Sequence, residues 1–128
     1  MKANCLFIQG GNIYIEKFSL YLTMMNNKRI LVKIKELVKT VEPTATVIVY
    51  GSLARGQNKK DSDIDVLILL DNDNITFSDE QRIKYPLYDL EFETGKIISP
   101  LIFSRNAWET KHSITPFYHQ VKKDGIQL

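Results

Sequence analysis

Residues 47–70 decide the fold, and they read VIVYGSLARGQNKKDSDIDVLILL. Two short apolar runs rich in β-branched residues flank a polar loop, which predicts two buried strands and their connection. The loop begins with Gly51 and Ser52 and leads to two aspartates, Asp63 and Asp65. Because residues two apart on a strand point to the same face, the two carboxylates are expected to project side by side. Such a pair beside a glycine-bounded loop suits a divalent metal that holds a nucleoside triphosphate.

The composition is typical of one small globular domain with a real core. The chain has 128 residues, of which 44% are hydrophobic and 25% are charged, and its net charge is +2. Neither a basic stripe nor a basic patch with interleaved aromatic residues is present, which argues against nucleic acid as the partner. No apolar run is long enough to span a bilayer, so no membrane partner is expected. The single cysteine, Cys5, excludes an intrachain disulfide, and the reducing cytoplasm is the expected compartment.

The first 25 residues read as an extension, 1–25, with no steady hydrophobic period and no signal-peptide pattern. One interpretation is a short hairpin with strands at 6–9 and 12–15 around a glycine pair. The other is a disordered or leader segment upstream of a translation start at Met24 or Met25. The second is preferred here, because the rest of the chain makes a complete unit without these residues.

The rest of the chain, 26–128, is predicted to form one domain in which helices and strands alternate. Helical spacing of apolar residues, caps at Ser104 and Thr115, and stops at Pro43 and Gly95 set the element boundaries. The predicted elements are a helix over 26–40, strands over 45–50 and 63–71, a helical turn over 53–56, a helix over 78–94, a strand over 96–104, a short helix with Trp108, a helix over 116–124 and a tail at 126–128.

The segment after the second strand admits two interpretations. As a helix, it places Ile83, Leu87 and Leu90 on one apolar face, with Pro86 kinking the helix or starting it. As a strand over 88–93, it alternates apolar and acidic residues. The helix is the preferred interpretation.

The pattern Gly-Ser-x-Ala-Arg-Gly at 51–56, followed by Asp-Ser-Asp-Ile-Asp-Val at 61–66, resembles the signature of the nucleotidyltransferase superfamily that includes DNA polymerase β. It is similar in particular to the minimal prokaryotic branch, whose members are often paired with a helical toxin of the HEPN type. The resemblance is strong over 47–70, and the order of elements over 26–104 agrees with it. It implies an α/β (α+β) nucleotidyltransferase fold, with a short mixed β-sheet backed by helices.

The resemblance also implies roles for the residues around the loop. Gly51 and Ser52 would bind the phosphates of the nucleotide, and Asp63 and Asp65 would ligate Mg²⁺. Arg55 is expected to tie the loop down or to steer the phosphates. The chemistry agrees, because nucleotidyl transfer depends mainly on positioning and charge neutralisation. Turn-forming aspartates would explain Asp63 and Asp65 alone, but not the Gly-Ser pair at the end of a buried strand.

One departure from the superfamily pattern concerns a third carboxylate, which usually lies on the next strand. That strand has no acidic residue here, and Ser99 or Pro100 stands about where the acid is expected. Glu91 or Glu93 could reach the site if 88–93 were itself a strand. On a helix, both are expected to be surface residues.

The resemblance implies an enzyme, a Mg²⁺-dependent nucleotidyltransferase that moves a nucleoside monophosphate, AMP from ATP, to a hydroxyl. A domain of this size lacks room for an acceptor pocket, so a partner protein is expected to supply the hydroxyl. The resemblance suggests a HEPN-type helical protein from an adjacent gene, with this chain as the antitoxin of a toxin–antitoxin system. The alternative is a weak or inactive nucleotidyltransferase-fold module that neutralises its partner by binding alone. Modification of nucleic-acid ends is a third idea, against which the near-neutral charge argues.

Overall fold

The computed structural model describes residues 11–57, 59 and 61–128. The chain divides into two compact units, Met1–Leu31 and Val32–Leu128. Helix α1, Gly11–Val41, forms the described part of the first unit and continues into the second. The predicted helix start at Asn26 or Asn27 is therefore wrong.

The hairpin interpretation is also wrong in its second strand, because 12–15 are helical, whereas 6–9 lie outside the described residues. The period that the sequence analysis missed is carried by Ile15, Phe18, Leu22 and Met25, which recur at intervals of three and four residues.

The second unit has a mixed α/β architecture, which confirms the predicted fold class. Its strands and helices alternate along the chain nearly as predicted. The elements after α1 are β1 Thr46–Tyr50, β2 Ile64–Leu70, α2 Phe77–Thr94, β3 Ile98–Ser104, α3 Arg105–Glu109, α4 Pro116–Asp124 and β4 Ile126–Gln127.

The four strands form one sheet in the order β3-β2-β1-β4. β1 is antiparallel to β2 and to β4, whereas β2 and β3 are parallel and are connected through α2. Pro100 therefore lies on an edge strand, where a residue without a backbone N–H is tolerated. The predicted C-terminal tail is wrong: Ile126 pairs with Val49, and the Leu128 N–H donates to the Val47 carbonyl at 2.9 Å.

One face of the sheet carries an aromatic core. Trp108 of α3 is 1% exposed and packs with Leu67 and Leu69 of β2 and with Val121 of α4. Trp108 therefore belongs to the core of this unit. His112 is half-buried and stacks on the Phe103 ring at 4.4 Å between centroids.

Helix α2 is continuous through Pro86, so the strand interpretation of 88–93 is wrong. A reciprocal capping box between Thr76 and Asp79 starts the helix, and Gly95 ends it in the left-handed conformation. Ile83, Leu87 and Leu90 are buried on one face, and this packing holds the helix together where proline removes a backbone donor. None of the helices in the described part of the chain combines the length and apolar content needed to cross a membrane.

Candidate nucleotide and metal site

The loop after β1 is a single helical turn closed by a glycine. The Gln57 N–H donates to the Ser52 carbonyl at 2.8 Å, and the Gly56 N–H donates to the Leu53 carbonyl at 3.2 Å. With Gly56 at φ +70°, this is the hydrogen-bond pattern of a Schellman motif. The helical turn predicted over 53–56 is confirmed. Its stop signal, Gly56, was present in the sequence.

Gly51, the first residue of the loop, lies directly against Asp65 of the following strand. Its φ is +77°, a conformation that side chains other than glycine rarely adopt. A Cβ at this position would overlap the Asp65 Oδ2 atom and would lie 3.3 Å from its Cγ. The loop can therefore approach the carboxylate only because residue 51 has no side chain.

The two aspartates bracket the start of β2. Asp63 is exposed and immediately precedes the strand, whereas Asp65 is its second residue and is half-buried. Burial raises the pKa of Asp65, the charge of Asp63 raises it further, and the charge of Arg55 lowers it. The charges of Asp63 and Arg55 therefore both act on the Asp65 carboxylate.

Arg55 and Ser52 occupy different parts of the loop. Arg55 is exposed, and its Nε donates to the Gln57 side-chain oxygen at 3.3 Å, within the same loop. Ser52 is half-buried beside Gly51. Farther along, the Lys59 N–H donates to the Ser62 hydroxyl at 2.7 Å, so Ser62 shapes the turn before Asp63, as predicted.

Tyr50 packs against the aromatic core and also lies beside Asp65, a place in the site that the sequence analysis did not give it. It pairs with Asp65 in the antiparallel register of β1 and β2, and its ring meets Phe117 edge to face at 5.2 Å. Burial, and then the nearby Asp65 charge, raise the pKa of Tyr50 to about 12. The phenol is therefore a neutral hydrogen-bonding group beside the carboxylates at physiological pH. Counting the hairpin register back from Asp65 would have found it.

The neighbour of Asp65 on the other side is Ser99 of β3. The parallel register pairs Asp65 with Ser99 and Val66 with Pro100, so no acidic residue of β3 lies beside Asp65. Within 11–57, 59 and 61–128, no group of three carboxylate, imidazole or thiol side chains is arranged to hold a metal ion.

The two glutamates considered as substitutes lie on helix α2 and not on a strand. The Glu91 carboxylate accepts a hydrogen bond from the Ile98 N–H at 2.8 Å, which satisfies the first backbone donor of β3. Glu93 is exposed on the helix. Glu91 therefore binds the backbone of β3. Either glutamate could have served as the third acid only if 88–93 were a strand, and this segment is helical.

The residues present fit a magnesium ion held with the help of a substrate. Mg²⁺ prefers hard oxygen ligands and is commonly bound through one or two carboxylates, with substrate phosphates and water completing its shell. Asp63 and Asp65 supply two carboxylates whose mutual repulsion a divalent cation would relieve.

The fold and this site define a class of protein, the nucleotidyltransferases. The family model of the nucleotidyltransferase domain matches residues 30–109, which is more than half of the chain, and the chain belongs to this family. The matched segment contains the loop, both aspartates and all of β3. A comparison with curated proteins finds no significant match. The chain is therefore a member of a transferase family whose general reaction is the transfer of a nucleoside monophosphate.

Proposed function

We propose that the protein transfers AMP from ATP to a hydroxyl group on a partner protein, with Mg²⁺ held by Asp63 and Asp65. The observation that carries the proposal is the Asp65 carboxylate lying against Gly51 at the mouth of the loop. A loop backbone next to the Asp65 carboxylate is suited to hold the phosphates of the nucleotide. A metal ion bound both by the phosphates and by the two carboxylates would offset the negative charge of all these groups.

In the proposed reaction, the acceptor hydroxyl attacks the α-phosphorus of ATP in line. A new P–O bond forms, the bond to the bridging oxygen breaks, and pyrophosphate leaves. Gly51 and Ser52 hold the phosphates, and Arg55 attracts them to the loop. Bound Mg²⁺ would neutralise charge on the phosphates. The hydroxyl proton passes to water or to a group on the partner, because β3 offers Ser99 and no acidic residue.

The proposed partner is a HEPN-type helical toxin encoded by an adjacent gene, and the proposed compartment is the cytoplasm. Resemblance of residues 47–70 to the minimal prokaryotic branch supports this part of the proposal. A partner that supplies the acceptor also fits the small size of the described unit. The protein would then act as an antitoxin that modifies the toxin covalently.

Labelled ATP, Mg²⁺ and the product of the adjacent gene test the proposal. We expect label transfer to the partner, and its loss in Asp63→Asn and Asp65→Asn. Asp61→Asn is the matched control, because Asp61 is an exposed aspartate of the preceding turn. Label carried by ATP at the α-phosphate, but not at the γ-phosphate, identifies transfer of AMP.

A second candidate function is neutralisation of the partner by binding alone. It is favoured by Ser99, which occupies the register position beside Asp65 where an acid is usual in the superfamily. Full neutralisation by Asp63→Asn and Asp65→Asn, without label transfer by the unmodified protein, would establish this candidate and exclude the enzyme.

A further inference from the structure

Helix α2 has a second apolar face that points to solvent. Phe77, Tyr85, Tyr88 and Phe92 lie within an arc of about 80° on the helix circumference, at 3.6 residues per turn. They are 78%, 59%, 45% and 92% exposed. The face of α2 that packs in the core carries Ile83, Leu87 and Leu90 and lies on the other side of the helix. We call the four exposed residues the α2 stripe.

The described part of the first unit, residues 11–31 of α1, carries a similar stripe. Ile15, Phe18, Leu22 and Met25 follow one another at intervals of three, four and three residues, the spacing of a helix that packs against another helix. All four side chains are exposed, by between 37% and 55%. We call these residues the α1 stripe. Two helical faces in the same chain thus present large apolar side chains to solvent.

The two stripes have opposite charge around them. Residues 11–31 contain three basic residues and one acidic residue, whereas α2 contains five acidic and two basic residues. Lys28 and Arg29 of the α1 segment are exposed. The basic residues Arg82 and Lys84 also flank the α2 stripe, but they are paired with Asp79 and Glu80 of the same helix at 3.7 Å and 2.9 Å. The exposed Asp89 and Glu93 therefore leave this side of the stripe net negative. An acidic rim beside aromatic side chains favours a basic apolar helix as the occupant.

Pairing each stripe with its own copy is less favourable. Two α1 segments both carry a net positive charge, and a parallel pair would place Arg29, the next position of the heptad, in the seam of both helices. Two α2 helices would bring the Asp89 and Glu93 rims together. Like charges in such contacts oppose association, whereas the α1–α2 combination pairs opposite charges.

We infer that two copies of this chain form a two-fold dimer in which the α1 stripe of each copy binds the α2 stripe of the other. Because of the two-fold symmetry, the contact occurs twice and the total buried area is doubled. Stable interfaces bury roughly 1,200–2,000 Å². The four aromatic side chains of α2 supply the anchors that such interfaces favour. This inference does not depend on the proposed function, because neither stripe contains Asp63 or Asp65.

Light scattering coupled to size-exclusion chromatography tests the dimer. At about 100 µM we expect twice the chain mass of 14.8 kDa. Phe92→Lys places a cation against the basic segment, and Leu22→Glu places an anion against the acidic helix, so each variant alone is expected to be monomeric. Ile114→Lys is the control: Ile114 is 85% exposed in the loop between α3 and α4, outside both stripes, and its variant is expected to remain dimeric.

An equimolar mixture of the two monomeric variants identifies the pairing. The Phe92→Lys chain retains its α1 stripe and the Leu22→Glu chain retains its α2 stripe, so one of the two contacts can re-form. We expect a mixed dimer, weaker than the unmodified one. Because all three substituted positions, 22, 92 and 114, are exposed, circular dichroism of each variant should match that of the unmodified chain. A monomeric unmodified chain overturns the inference, as does a dimer that survives Phe92→Lys or variants that remain monomeric when mixed. A monomer that uses the α2 stripe only to bind a different protein overturns it too.

Discussion

The Asp65 carboxylate lies against the Cα of Gly51, in space that a Cβ at residue 51 would occupy. Gly56 in the same loop has a similar positive φ, +70°, but nothing lies within 4 Å of the place its Cβ would take. A comparison of substitutions at the two glycines therefore distinguishes the energetic effect of the backbone conformation from that of contact with the Asp65 carboxylate.

Alanine at residue 51 is expected to be more damaging than alanine at residue 56. In both variants, a residue with a side chain in the left-handed conformation lowers the free energy of unfolding by about 1–2 kcal/mol. Gly51→Ala is expected to lose about 1–3 kcal/mol more unfolding free energy, because its methyl group must displace the Asp65 side chain. Urea unfolding of both variants measures this difference. Equal losses of unfolding free energy would show that the carboxylate moves aside freely.

Asp65→Asn is expected to leave the protein slightly more stable at pH 7, while it removes label transfer. The folded state raises the pKa of Asp65 above its ordinary value of 3.8, so the ionised carboxylate opposes folding at neutral pH. Asparagine keeps the shape without the charge, and after solvent screening we expect a gain of at most about 0.5 kcal/mol. The gain should fade as the pH falls through the raised pKa of the folded state and should be nearly absent well below 3.8, where the aspartate is protonated in both states.

Mg²⁺ provides an independent measurement on the same variant. A cation that binds only the folded state raises the apparent unfolding free energy by mass action. Millimolar Mg²⁺ with ATP should therefore stabilise the unmodified protein and Asp61→Asn more than Asp65→Asn. Lower stability of Asp65→Asn at pH 7 without Mg²⁺ would contradict the conclusion that burial and the Asp63 charge make the ionised Asp65 unfavourable in the folded state.

The central part of the fold could be predicted because its signals are local. The apolar runs of β1 and β2, the capping serine of α3 and the Gly95 stop of α2 each act within a few residues. The Ser99 position could be predicted as well, since the parallel register follows from the two neighbouring strands.

The errors concern features that depend on distant partners. β4 has two residues and pairs with Val49, more than 70 positions earlier, so no pattern of its own predicts it. The place of Tyr50 in the site depends on its pairing with Asp65 across β1 and β2. The start of α1 was missed for another reason. Its apolar residues recur with a helical period, but they are exposed and form no core face.

Glu109 is expected to stabilise the protein at neutral pH through two partners. Its carboxylate accepts hydrogen bonds from the Tyr118 hydroxyl at 2.7 Å and from Lys122 Nζ at 3.2 Å. These contacts, the Tyr118 bond first, hold the pKa of Glu109 below its ordinary value of 4.5. The folded state therefore favours the ionised form, and the stabilisation is present above pH 4.5 and is lost as the pH falls through the lowered pKa.

Glu109→Gln tests this pH dependence. We expect a loss of at most about 1 kcal/mol at pH 7, since the pair is largely exposed, and almost none well below pH 4. Thermal unfolding at several pH values measures the loss. The double variant with Tyr118→Phe should show less than the sum of the single losses, because both changes remove the same hydrogen bond. A loss that is independent of pH would mean that packing, not charge, is responsible.

Truncation after Gly125 is expected to destabilise the sheet and promote association. β4 covers the outer edge of β1, where the Leu128 N–H donates to the Val47 carbonyl at 2.9 Å and Ile48 pairs with Gln127. Without residues 126–128, the backbone groups on that edge of β1 face solvent. We expect a loss of about 1–3 kcal/mol of unfolding free energy, from a few hydrogen bonds of roughly 1 kcal/mol each, together with aggregation through the uncovered edge.

Ile126→Ala is the matched control, because Ile126 is 51% exposed and alanine keeps the backbone pairing. Urea unfolding and light scattering measure the two effects, and a truncated chain that matches Ile126→Ala in both would show that β4 does not protect β1.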